Sequence, residues 1–99
     1  MSEVRIVLRK PITAHGAEVT ELIVRKPAPE VARQIGSLPY RITQDQLPDI
    51  NVPAAAQFIS KCAGIPPSSV DQLDIFDFNA ACWAVAGFFF STGSSTSAS

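Results

Sequence analysis

At 99 residues, with 46% hydrophobic and 17% charged residues and a net charge of −1, the chain fits one small domain with a modest core. This balance excludes a disordered chain, which needs lower hydrophobicity and more net charge. It also argues against a dedicated nucleic-acid binder, and two cysteines are too few for a disulfide scaffold. The charges are unevenly placed. Residues 1–41 carry seven Lys/Arg and four Asp/Glu, whereas residues 42–99 carry one Lys and five Asp. After Asp77 the remaining 22 residues have no charged side chain.

The N-terminus, Met-Ser-Glu-Val-Arg-Ile, lacks the basic start and apolar stretch of a secretory signal. From Val4 to Arg9 the chain alternates, with Val4, Ile6 and Leu8 on one face. Thr20–Arg25 alternates in the same way, with Leu22 and Val24 opposed to Glu21 and Arg25. Period-two patterns rich in β-branched residues predict strands, and the His15-Gly16 turn between them predicts an antiparallel hairpin, about 4–13 with 18–25. Pro11 cannot donate to a ladder, so it marks an edge or a bulge. Its basic residues, Arg5, Arg9, Lys10, Arg25 and Lys26, gather near strand ends and on the polar face.

Pro27-Ala-Pro29 stops the second strand. Pro29 suits a first helical turn, Glu30 complements the helix dipole there, and Gly36 ends a short helix whose apolar side is Val31, Ala32 and Ile35. Residues 37–52 contain Pro39 and Pro48 and little periodicity; they read as an irregular connector with a turn of helix near Gln44–Leu47. Pro53 opens the next helix, with Asn51 as its capping residue. Ala55, Phe58, Ile59 and Cys62 follow helical spacing, and Gly64 supplies the C-cap. After the Pro66-Pro67 corner, Ser68–Leu73 makes one or two helical turns with Val70 and Leu73 inward. Asp74 then caps a last helix over 75–90, and Asp77 favours the positive end of its dipole. Ser91–Ser99 reads as a flexible, disordered Ser-rich tail. The predicted fold class is α+β: one domain over 1–90, with the hairpin at 4–25 and a small bundle of three to four helices over 29–90.

The last helix carries the functional signal. One stripe is Ile75, Phe78, Cys82, Val85 and Phe89, of which Phe78, Val85 and Phe89 are expected in the core; the opposite stripe is Phe76, Ala80, Trp83, Gly87 and Phe90. A surface helix normally has a charged face, and this one has none. Its 13-residue apolar run, Phe78–Phe90, would span about 20 Å, short of a ~30 Å hydrocarbon core, so no membrane crossing is expected. A small domain has too few elements to enclose such a helix, which predicts that part of it meets another chain. Aromatic side chains anchor interfaces. The candidate partner-binding residues are therefore Phe76, Trp83, Phe88 and Phe90, with Phe58 on the neighbouring helix.

Catalytic signals are sparse. His15 is the only histidine and sits at the turn, and no pattern pairs it with a cysteine. Cys62 and Cys82 read as buried, reduced thiols. Asp71, Asp74 and Asp77 lack the turn glycine and terminal glutamate of a calcium loop, and the five glycines are too scattered to cradle phosphate. No metal, cofactor or nucleic acid is expected, and the chain reads as a non-enzyme.

The order of parts is nonetheless informative. Leu-Arg-Lys-Pro-Ile (8–12) is followed by Val-Thr-Glu-Leu-Ile-Val-Arg-Lys-Pro (19–27). Cys-Ala-Gly-Ile-Pro-Pro-Ser-Ser-Val-Asp-Gln-Leu-Asp-Ile-Phe-Asp-Phe (62–78) and Val-Ala-Gly-Phe-Phe (85–89) come later. Over residues 4–90 this combination resembles the small tail assembly chaperones of contractile-tailed phages, the Mu-like type also found in prophages. The resemblance implies binding and solubilisation of the tape measure protein during tail assembly, in the host cytoplasm, by a protein absent from the mature virion. It also implies self-association or a longer, frameshifted form as a partner. Other readings of the same features are a structural tail or baseplate component and a small regulatory nucleic-acid-binding adaptor.

Overall fold

A computed structural model describes residues 3–90, so the predicted Ser-rich tail lies outside the described residues. The expected α+β architecture is present: a long N-terminal hairpin is followed by four helices.

Strand β1 (Glu3–Ala14) pairs antiparallel with β2 (Ala17–Arg25) across His15-Gly16. Both turn residues have positive φ, 54° and 77°, the geometry that matches a two-residue turn to the twist of its strands. Val4 pairs with Val24 and Ile6 with Leu22. Between Val7, opposite Glu21, and Ile12, opposite Val19, the register slips, so that Leu8–Pro11 stands against Thr20 alone. Pro11 therefore sits in a wide bulge, as its missing N–H requires. Arg5–Glu21 (3.6 Å) and Arg25–Glu3 (3.8 Å) form exposed ion pairs along the hairpin.

Helix α1 (Pro29–Ile35) begins on its proline and ends at Gly36, whose φ of 84° lets its N–H reach the Ala32 carbonyl. The next segment departs from expectation. In place of an irregular connector with a helical turn, β3 (Tyr40–Ile42) and β4 (Pro48–Ile50) form a second hairpin. Its loop is closed by the Thr43 N–H donating to the Leu47 carbonyl, 2.9 Å, and by Gln46 at positive φ. Strands of three residues are too short for an alternating pattern, and Pro48 is tolerated because it pairs only with Ile42 at the end of the ladder.

Asn51 occupies the N-cap of α2 (Val52–Ala63), but its side chain does not cap. Its amide donates to the Leu38 carbonyl (3.1 Å) and its backbone N–H to the Pro39 carbonyl (3.0 Å), tying the small hairpin to the helix. Helix α2 packs against β2, α1, α3 and α4, with Ala54, Ala55, Phe58, Ile59 and Cys62 buried. A single turn, α3 (Pro67–Val70), buries Ser69 and Val70 and leads into α4 (Ile75–Phe90). Asp74 caps α4 as expected, its carboxylate accepting the Phe76 N–H at 3.1 Å. The core joins Leu8, Ile12, Leu22 and Val24 of the hairpin to Phe58, Ile59, Val70, Ala81, Cys82 and Val85.

Candidate functional site

The bulge in β1 decides how α4 sits. It removes the Arg9 N–H from the β ladder, and this part-buried donor finds its acceptor elsewhere. Asp77 supplies it: the residue is 3% exposed and its carboxylate accepts that N–H at 2.8 Å. The buried face of α4 is thus Asp77, Ala81, Cys82, Val85 and Ala86. Val85 is wholly buried and Phe78 and Phe89 pack on the core, as expected, whereas Ile75 is 74% exposed. A second polar clamp lies further along β1. The Gln72 amide accepts from the Thr13 N–H (2.8 Å) and donates to the Thr13 carbonyl (3.3 Å), while the Ser69 hydroxyl donates to that same carbonyl (2.6 Å).

With that face inward, Phe76, Trp83 and Phe90 recur every seventh residue on the outer side of α4, exposed by 61%, 41% and 44%. Phe88 is half-buried and packs on the core. Phe90 also meets the missed hairpin, its ring centroid 4.5 Å from that of Tyr40. Phe58 differs from the other four: it is wholly buried and meets Phe89 edge-on at 5.7 Å. No partner can reach it, so its place among the candidate contact residues is corrected to the core. Helical spacing identified Phe58 as apolar, but its depth depends on the four elements around α2.

An open groove of about 390 Å³ runs beside the start of α4, lined by Ile50, Val52, Ile75, Phe76, Phe78, Asn79 and Cys82. Sequence reasoning missed the wall made by Ile50 and Val52 because it missed β4. The available signal was two aliphatic residues flanking Asn51, just before the helix-opening Pro53. The Arg9 guanidinium lies over the Phe76 ring, 4.3 Å from its centroid. The surface therefore offers apolar contact area with one cation at its rim.

The remaining polar and nucleophilic groups have structural surroundings. Burial pushes the thiols of Cys62 and Cys82 up to about 11, which keeps both protonated at neutral pH. Exposed His15 places Nε2 3.1 Å from the Gly64 carbonyl, joining the hairpin turn to the end of α2. Among the described residues, no three of His, Cys, Asp and Glu cluster in a way that could hold a metal ion, and no helix is long and apolar enough to cross a membrane.

A family model described as "Phage tail assembly chaperone proteins, E, or 41 or 14" matches residues 5–89. The chain belongs to the phage tail assembly chaperone family. The family match extends from within β1 nearly to the end of α4, so it takes in most of the long hairpin, the second hairpin, the core, the groove, and Phe76 and Trp83 of the chaperone's exposed stripe. No curated protein and no solved structure matches the chain.

Proposed function

We propose that this tail assembly chaperone binds the tape measure protein and keeps it soluble while the tail tube forms. Such a client is long and helical, and its apolar faces are uncovered until the tube encloses them. The observation carrying this reading is the apolar groove continued by the outer side of α4, where Ile75, Phe76, Trp83 and Phe90 remain exposed within a family of assembly chaperones. An amphipathic client helix can lay its apolar face along such a surface. The role is non-catalytic, belongs to the host cytoplasm, and ends before the particle is complete. Several copies, or a longer frameshifted form, along one client would add avidity without requiring tight single contacts.

Co-expression with the tape measure protein of the same tail tests the reading. The client is expected to move into the soluble fraction and to co-purify with this chain, while mass spectrometry of finished particles finds the chain missing. A client equally soluble alone, with no co-purification, refutes the reading. Stoichiometric retention in particles would instead identify a structural tail component.

A further inference from the structure

We infer that Arg9 and Phe76 form a receptor for a carboxylate, and that the segment seated in the α4 groove is an amphipathic helix bearing Asp or Glu beside its apolar anchors. This inference rests on the reading that the groove receives a client, and it adds the charge that the client must present. Three observations carry it. Arg9 is fixed at its backbone, because its N–H is held by the buried Asp77 carboxylate at 2.8 Å. Its side chain is positioned by the Phe76 ring, 4.3 Å below the guanidinium carbon. Its charge is unused: among the described residues the guanidinium has no ion pair and no hydrogen bond, whereas Arg5, Arg25 and Arg41 each have a carboxylate partner.

Stacking on an aromatic face is the arrangement that leaves an arginine's donors free. The guanidinium is planar and its N–H groups point outward in that plane, so an ion over the ring can still fork onto a carboxylate from the side. Phe76 itself lines the groove, which places the unpaired charge next to the apolar contacts of any bound helix. The nearby acids do not compete. The Asp74 carboxylate accepts the Phe76 N–H and that of Asp77 the Arg9 N–H, and among the described residues neither forms an ion pair with the guanidinium. Asp49, the neighbour in sequence of the lining residue Ile50, is paired with Arg41 at 3.5 Å, which leaves Arg9 as the cation stacked on a lining ring without an ion-pair partner among the described residues. A helix with an acidic residue one turn from its anchors satisfies it; a basic one leaves two cations together.

The test uses three labelled helical peptides, about 18 residues long so that helix is stable. They are identical in their leucine stripe and carry Glu, Gln or Lys at one flanking position. Binding to the full chain is followed by fluorescence anisotropy. The Glu peptide is expected to bind roughly three- to tenfold more tightly than the Gln peptide, the range of a charge-assisted contact weakened by solvent. The Lys peptide should bind more weakly than either. Arg9→Gln removes the preference and Arg9→Glu reverses it toward Lys; both change an exposed side chain and leave the Arg9 N–H in place, so the thermal melt should be unchanged. Lys10→Gln has a smaller effect, because no aromatic ring holds Lys10. Equal binding of the three peptides, no binding of any, or a Glu preference that survives Arg9→Gln overturns the inference. Capture of the tape measure protein by the wild-type chain, scored separately, decides whether the underlying reading stands.

Discussion

Helices α2 and α4 are both rich in apolar residues, yet the fold treats them oppositely. Helix α2 is enclosed by β2, α1, α3 and α4, and it turns Gln57 and Lys61 outward. Helix α4 buries a comparable stripe but turns Phe76, Trp83 and Phe90 outward. Stability alone explains α2. It does not explain α4, whose outer aromatics contribute little to the core. A helix that keeps aromatic area in water where polar residues would serve as well is shaped by something it binds. This contrast supports the proposal that the chaperone's working surface lies on α4.

The contrast can be broken most sharply at Phe58. Truncation of this wholly buried ring, Phe58→Ala, is expected to cost about 3–5 kcal/mol in urea denaturation, enough to unfold much of the population of a small domain. Asp77→Ala attacks the orientation of α4 rather than its packing. It removes the acceptor of the part-buried Arg9 N–H, at a cost of about 0.5–1.5 kcal/mol by the same measurement. Asp77→Asn, which keeps an acceptor oxygen, should lose less.

The two cysteines sharpen the comparison from the buried side, one on each helix. Folding raises both thiols from 9.0 to about 11, so the folded state holds their protons more tightly than the unfolded state does. Their contribution is complete below pH 9 and is lost as the pH rises toward 11. Denaturation midpoints should therefore fall across that window, and less steeply in a Cys62→Ala/Cys82→Ala double variant. Similar protection of Cys62 and Cys82 would confirm that the inner faces of α2 and α4 are alike. The smallest change in stability is expected on the outer face. Phe76→Ser or Trp83→Ser should alter it by roughly 0.5 kcal/mol or less, while client co-purification falls severalfold. A large loss of stability in either variant would return that residue to the core.

Much of this fold is written in local signals. His15-Gly16, Pro29, Gly36, Gly64 and Asp74 act over a few residues, through backbone conformations and hydrogen bonds that need no distant partner. They set the ends of the long hairpin and of three helices where pattern reading expects them. The second hairpin was not legible, because three-residue strands have no period and Asn51 is committed to Leu38 and Pro39 only through tertiary contact. The candidate site was half legible. Phe76, Trp83 and Phe90 follow from the all-apolar character of α4, whereas the groove's other wall and the buried position of Phe58 depend on how elements far apart in sequence meet.

From the sequence alone came the α+β class, a resemblance to tail assembly chaperones, and a last helix apolar on every side. A helix of that kind carries no instruction about which side faces inward, since any rotation buries comparable apolar area. That choice was made in three dimensions, where a bulge in β1 leaves one N–H in need of an acceptor and Asp77, 68 residues away, turns inward to meet it. Hydrogen bonding is directional and hydrophobic burial is not, so one polar contact orients the helix and leaves its aromatic stripe facing outward.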